Sequence, residues 1–565
     1  RAKRGEAQGN AHIFLTDSEL WLAIQGLGWY NEINQRRKPG TERGMDCLEP
    51  KDRRLRQRQR RKKLWQTTAG LLAALGSLHR RGNRHFAGRW SDGRFTAAAL
   101  AVILLVSAVM LWLPNQLGVA NDGTVTRTMQ NAGLSYLEAD RENANDYFTA
   151  VYALRHADPT DRSIQLSLLG AAKAVDDLFT GDQLFDVRFL AALYLLLAIP
   201  GWGLLIYAVV GRADAFVEKC VLAGLCVLII GDVSYVTYFN SLYPEAIYLI
   251  GLSCFFGGAM SLQRKGKKSL GCWLAILSGA AVLCLTRRHC WIFGFGAALF
   301  CVTQLRLSES TLERTAIALA AGAALLAGLW SFAFAETDFD DTGRIHAMTR
   351  GVLLQSANPE KTLSEFGIDG SYAMLTDISL YDQYPAAEEA EYYMQNGFLN
   401  QYSTLDIGLY YLRHPGAMLS MLDLGIRSAM NTTRDYCGNY LRSAEMPARA
   451  RSVFMGAYSV FKTRSMPHTA AYPVLLMIVC AVLSRQGWWR KKEPDRFYYV
   501  YFCTTMTAFL TIAAHLTEII LWGGDAQLTQ YNLISGFSID ILMLFTLSEL
   551  LHRLNILEEA QVNQS

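Results

Sequence analysis

The run Ala120-Asn121-Asp122-Gly123-Thr124-Val125-Thr126-Arg127 sets a carboxylate beside a glycine and shortly before an arginine. A carboxylate at such a turn can take a proton from an acceptor hydroxyl, and Arg127 can meet a phosphate. A solvated turn is the plain alternative, since Asn-Asp-Gly is a common turn tripeptide. A second segment carries Asp232, Tyr235, Tyr238, Phe239, Asn240, Tyr243, Pro244 and Glu245. Its Asp232, Asn240 and Glu245 have the chemistry to orient hydroxyls of a sugar or acceptor; helix caps and interfacial aromatics are the alternative. A third is Thr286-Arg287-Arg288-His289. Two adjacent arginines recognise phosphate bidentately, or else they snorkel to lipid headgroups.

Three weaker signals stand beside these. Glu518, Trp522, Gly523, Gly524, Asp525, Gln527 and Gln530 form a polar, glycine-containing stretch that fits a cavity floor or a plain turn. A lone histidine, His515, is expected to bond a neighbouring helix rather than a metal. Asn431-Thr432-Thr433 matches the glycosylation sequon, a pattern with many false positives.

The elements that must position these residues are set by hydropathy. Apolar residues make up 51% of the chain and charged residues 18%, below the roughly 25% charged of a soluble protein. Mean hydropathy is only +0.12, because a basic amino-terminal arm and polar loops dilute the apolar blocks. The blocks lie at residues 95–113, 189–210, 216–230, 246–262, 270–285, 290–305, 314–335, 471–483, 498–521 and 533–551. A crossing helix needs about twenty apolar residues, so the expected fold class is all-α integral membrane, with about ten transmembrane helices. The fifth and sixth blocks are short enough to form a re-entrant hairpin instead of two full crossings, with the same parity.

Basic residues then set the orientation, because they concentrate on the cytoplasmic side. Arg53, Arg54, Arg56, Arg58, Arg60, Arg61, Lys62 and Lys63 precede the first block. With that arm inside, Arg264, Lys265, Lys267, Lys268, Arg485, Arg490, Lys491, Lys492 and Arg553 also fall inside, and both termini are cytoplasmic. The organisation is therefore a basic, partly disordered arm at 1–94 and spans one to seven at 95–335, with a first external loop at 114–188. An external helical region follows at 336–470, then spans eight to ten at 471–552 and a cytoplasmic tail at 553–565. The arm is expected to touch anionic lipid headgroups rather than nucleic acid. No cleavable signal peptide is expected, because the first apolar block comes late; the chain opens on Arg1 rather than Met, as a fragment does. Most of the 11 cysteines sit in apolar blocks and read as small hydrophobes, with no zinc spacing and no disulfide framework.

Asn121-Asp122-Gly123 followed by Tyr235-Val236-Thr237-Tyr238-Phe239-Asn240-Ser241-Leu242-Tyr243-Pro244-Glu245 resembles bacterial hexose transferases of surface-glycan biosynthesis, such as those building S-layer glycans. Arg350-Gly351-Val352-Leu353, Glu365-Phe366-Gly367-Ile368-Asp369 and Arg413-His414-Pro415 add to the likeness, which covers roughly residues 95–550. That group is similar to the GT-C class of polytopic glycosyltransferases. The resemblance implies a GT-C-like fold in a bacterial plasma membrane and a polyprenyl-phosphate-linked sugar as donor, with a glycan or lipid-linked acceptor. It implies that Asp122, as the acid of the first external loop, is catalytic, and that Arg287, Arg288 and Arg127 hold the donor phosphate. No cofactor and no metal are expected. A transporter or flippase of lipid-linked glycan would share a polar cavity and phosphate-binding arginines, and a non-catalytic assembly protein would share the large external loops. Both readings stay open on the sequence.

Overall fold

The computed structural model describes residues 90–113, 116–157, 163–263, 270–334, 341–378, 394–489, 495–526 and 528–562. The basic run at 53–63, the clusters at 264–268 and 490–492, and Gln527 lie outside these residues, as does the side chain of Gln530.

Each apolar block is a helix. These are α1 (Asp92–Trp112), α2 (Val187–Val210), α3 (Phe216–Ile230), α4 (Glu245–Ser261), α5 (Leu270–Cys284), α6 (Trp291–Gln304), α7 (Thr311–Phe334), α8 (Ala471–Leu483), α9 (Arg496–Gly523) and α10 (Leu533–Val562). Among the described residues, six stretches are long and apolar enough to cross a membrane: α1, α2, Arg288–Leu307 around α6, α7, α9 and the greater part of α10. A seventh crossing results if α3 is taken with Val233–Asn240, from which it is bent by 47°. The helices α4, α5 and α8 are apolar but shorter. The chain is a multi-pass membrane protein.

Packing follows from small residues at the helix contacts, since van der Waals fit rather than hydrophobicity joins helices in lipid. A Cβ on Gly201 of α2 would stand 2.8 Å from the Cys254 backbone nitrogen of α4, and one on Gly257 would stand 2.7 Å from that of Leu205. Between α6 and α7, a Cβ on Gly294 would meet the Gly328 Cα at 2.6 Å.

Polar contacts gather the helix ends into two sets. At one end Lys219 of α3 pairs with Asp92 of α1 at 2.7 Å, and Arg212 after α2 pairs with Glu549 of α10 at 2.6 Å. Arg553 reaches the Leu483 carbonyl of α8, Arg496 the Leu262 carbonyl after α4, and Tyr499 of α9 the Thr303 carbonyl of α6. At the other end Ile164 N–H bonds the Leu285 carbonyl, Ser331 of α7 the Arg287 carbonyl, and Trp291 of α6 the Glu518 carboxylate of α9. Successive helices thus alternate in direction.

The segments between α1 and α2 and between α7 and α8 carry structure beyond helices. Strand β1 (Leu117–Val119) pairs antiparallel with β5 (Cys437–Tyr440), so the two long segments share one sheet. Strands β2 (Leu134–Tyr136), β3 (Val151–Leu154) and β4 (Leu184–Asp186) form a second sheet in that order. These small sheets add to the all-α expectation for 114–188 and 336–470. Helix α11 (Val125–Ala132) packs on α12 (Ile164–Phe179), where Lys173 donates to the Ala132 carbonyl at 2.6 Å and closes the end of α11. Helix α12 buries Leu169 and Ala172 and exposes Val175, Leu178 and Phe179 on its other face. The later segment contains α13 (Thr404–Arg413), opened by a Ser403–Asp406 capping box. With Met348, Val352, Leu363 and Phe398 it builds a second core against Ile519 and Ile520 of α9.

Candidate functional site

The turn after β1 is fixed at its start by two main-chain bonds. Ala120 N–H donates to the Tyr436 carbonyl at 3.0 Å and Asn121 N–H to the Ala144 carbonyl at 2.9 Å. Inside it, Gly123 N–H bonds the Asn121 side chain, and Gly123 adopts φ +97, a region open chiefly to glycine. Asp122 Oδ1 accepts three hydrogen bonds: from Thr124 N–H at 3.0 Å, Thr124 Oγ1 at 2.7 Å and the Tyr243 hydroxyl at 2.8 Å. Tyr243 also receives the Asp122 N–H, at 2.9 Å. Burial and the Asp122 charge hold the Tyr243 phenol well above its ordinary pKa, so it stays a donor. Oδ2 of Asp122 carries none of these bonds, and the residue is exposed.

Beneath the turn lies a buried ion pair. Glu245 opens α4 and approaches Arg434 Nη1 at 3.8 Å, with both side chains at most 5% exposed. Arg434 donates to the Tyr238 and Tyr436 hydroxyls at 3.1 and 3.2 Å. Burial opposes its charge, but these phenols, Cys437 and Glu245 outweigh that and hold the guanidinium above its ordinary value. The Tyr436 ring stacks on Tyr243 with centroids 6.4 Å apart, which links the pair to the turn. Glu245 Oε2 has no hydrogen-bond partner among the described residues. Asp122, Arg434 and Arg287 all act electrostatically on the Glu245 carboxylate.

The Arg287-Arg288-His289 turn divides its side chains. Arg287 is buried and within electrostatic reach of Glu245. Arg288 lies over the rings of Phe332 and Trp522, at 4.7 and 4.8 Å to the centroids. His289 stands against Tyr248 and Tyr531. Arg127, on α11, is exposed and lines a separate groove that begins at Asn121, Gly123 and Thr124.

Two expected site residues serve the fold instead. Asp232 is fully buried, out of reach of a sugar; Oδ1 accepts from Ser234 N–H and Oδ2 from Ser459 N–H, each at 2.9 Å. Asn240 is also fully buried and donates to the Leu111 and Leu117 carbonyls, fastening the end of α1 to β1. The structure therefore sets Asp122 and Arg287 within electrostatic reach of Glu245, turns Arg288 to Phe332 and Trp522, leaves Arg127 to the separate groove, and buries Asp232 and Asn240 in contacts of the fold. In the last loop, Asp525 is held by Arg350 through two contacts, at 2.6 and 3.1 Å. His515 bonds Ser535 of α10 at 3.1 Å, a helix-to-helix contact. Arg434 and Tyr436 were not legible as site residues: they enter from a segment nearly two hundred positions away, through the β1–β5 pairing.

A family model described as YfdI N-terminal transmembrane domain matches residues 88–565. Comparison with curated proteins and comparison with solved structures each give no match.

Proposed function

We propose, on the premise that the chain belongs to the YfdI N-terminal transmembrane domain family, that it is a membrane glycosyltransferase of GT-C-like architecture in a bacterial plasma membrane. It moves a hexose from a polyprenyl phosphate to a cell-surface glycan or lipid-linked acceptor. In this reading all ten apolar helices cross, both termini are cytoplasmic, and the Asp122 turn faces outward. The alternating contacts at the helix ends and the basic clusters at 264–268 and 490–492 support that sidedness.

One observation carries the chemistry. Asp122 has one carboxylate oxygen held by three donors and the other uncommitted, directly above a buried Glu245–Arg434 pair with Arg287 in electrostatic reach. A fixed carboxylate of this kind suits a general base. Oδ2 takes the proton of the acceptor hydroxyl as its oxygen attacks the anomeric carbon. The bond from that carbon to the phosphate oxygen breaks, the configuration inverts, and the polyprenyl phosphate leaves with the electron pair. Arg287 and Arg288 stabilise the charge that develops on it, and Glu245 orients sugar hydroxyls through its uncommitted Oε2. The positive groups are the chain's own, so no cofactor is invoked.

The test is transfer from a radiolabelled polyprenyl-phosphate hexose in membranes carrying Asp122→Asn. Loss of about 10²–10⁴-fold in turnover is expected for a missing general base. Turnover near that of the unaltered protein removes Asp122 from the mechanism. Movement of intact lipid-linked glycan without new glycosidic bonds would mark a flippase instead.

A further inference from the structure

Beside the Asp122 turn a groove of about 1210 Å³ opens between α11, β2 and the segment leading into β3. From its chemistry we propose that this groove is the acceptor site and that the acceptor is an anionic oligosaccharide, bearing carboxylate or phosphate groups on its sugars. The proposal rests on the glycosyltransferase reading above and adds the class of acceptor.

Three observations converge. The first is position: Asn121, Gly123 and Thr124 form one rim, so a chain lying in the groove passes next to the Asp122 carboxylate. The second is charge. Arg127, Arg141 and Arg155 line the groove against a single carboxylate, Glu138, with His156 beside them. Arg141 and Arg155 form no ion pair among the described residues. Guanidinium groups so placed recognise carboxylate and phosphate in a planar, bidentate way. The third is an aromatic wall. Tyr136 is half-buried and backed by Tyr152 across the β2–β3 pair, ring centroids 5.7 Å apart. Its hydroxyl is pushed up to about 12 by burial and by the Asp122 charge, so the ring lies within electrostatic reach of the proposed base. A flat ring with side-chain amides nearby, here Gln130 and Asn145, suits the apolar face and hydroxyls of a sugar.

Size and rigidity agree with this. Pockets for a compact small molecule run to about 300–1,000 Å³, so this groove takes several sugar units. Its wall helix α11 is closed at its carboxyl end by Lys173 and by the main-chain bond from Arg155 N–H to the Gly133 carbonyl at 2.8 Å.

The experiment is calorimetric titration of the full chain in lipid nanodiscs. The probes are tetragalacturonate, phosphorylated maltotetraose, plain maltotetraose and inorganic phosphate. At least one charged sugar should bind at least about tenfold more tightly than maltotetraose, and less tightly as salt is raised. Preference for the first charged probe assigns a carboxylate acceptor and for the second a phosphate-bearing one. Arg141→Gln with Arg155→Gln should remove about tenfold or more of that affinity and leave maltotetraose binding unchanged; lysine at both positions should retain most of it. Equal affinity for charged and plain sugar overturns the proposal, as does inorganic phosphate binding as tightly as the charged sugar, or a double variant that binds like the unaltered protein. Asp122→Asn separates the two readings. It should leave groove binding intact, so an active Asp122→Asn protein sinks the base while the groove stands, and failed binding sinks the groove while the transfer assay stands.

Discussion

Tyr243 and Asp122 are joined twice: the phenol donates to Oδ1 at 2.8 Å and accepts the Asp122 N–H at 2.9 Å. A residue two positions before the α4 helix thereby fixes both the carboxylate and the backbone of a turn more than a hundred positions earlier. Tyr243→Phe keeps the ring stacked on Tyr436 and removes only the hydroxyl. A hydrogen bond to a charged group is worth about 1.5–3 kcal/mol, so turnover should fall roughly ten- to a hundredfold while the donor KM changes little. Initial rates over a range of donor concentration read this split. Unaltered turnover would mean that Asp122 is held well enough by Thr124 alone.

Gly123 and Gly133 separate strain from collision. Both have positive φ, but a Cβ on Gly123 meets nothing within 4 Å, whereas one on Gly133 stands 2.6 Å from the Arg155 carbonyl. Gly123→Ala should cost about 1–2 kcal/mol of conformational strain and lower turnover by shifting Asp122. Gly133→Ala adds a backbone clash and should lower the melting temperature more. Equal thermal losses in detergent would contradict the distinction.

Arg434 holds a buried charge that Glu245 needs. Arg434→Met leaves Glu245 buried without its cation and two phenols without their donor, so a loss of about 3–5 kcal/mol is expected. Adding Glu245→Gln should restore part of the thermal stability but none of the transfer activity. Stability unchanged in the single variant would show that the 3.8 Å pair is not coupled.

The sidedness is open to labelling. In a protein with Cys220 replaced by serine, a cysteine at Thr376 should react with an impermeant maleimide from outside the cell, and one at Gln486 only after lysis. Thr376 bonds the Ala373 carbonyl in the segment between α7 and α8, whereas Gln486 lies on the short helix Arg485–Trp489 that follows α8. Reaction of both from the same side would break the alternating order.

The helices were legible because hydropathy writes crossing segments in runs of apolar residues: each block, from 95–113 to 533–551, is a helix. The small sheets were not, since β1 and β5 are three and four residues long and pair across more than three hundred positions. The same distance hid Arg434. Asp122 and Glu245 were legible as acids at helix borders, but so was Asp232, and only the hydrogen bonds tell capping from an open carboxylate. A buried pair that no spacing announces, Lys462 with Asp540, shows the limit most clearly.

Lys462, on the helix Ala457–Ser465, lies 2.7 Å from Asp540 within α10, and neither side chain is more than 1% exposed. Asp540 also accepts from Tyr235 at 2.5 Å and Tyr458 at 2.7 Å, and Lys462 donates to the Gly536 carbonyl at 2.8 Å. The network pins the segment between α7 and α8 to α10, whose membrane-length stretch Leu533–Leu554 is largely buried. A charge at this depth is retained only when paired, so Lys462→Met should cost about 3–5 kcal/mol by stranding the Asp540 carboxylate. Adding Asp540→Asn removes the second charge and keeps an acceptor for a tyrosine, so the double variant should melt higher than the single one. A double variant less stable than Lys462→Met alone would show that the tyrosines, not the lysine, hold Asp540 in place.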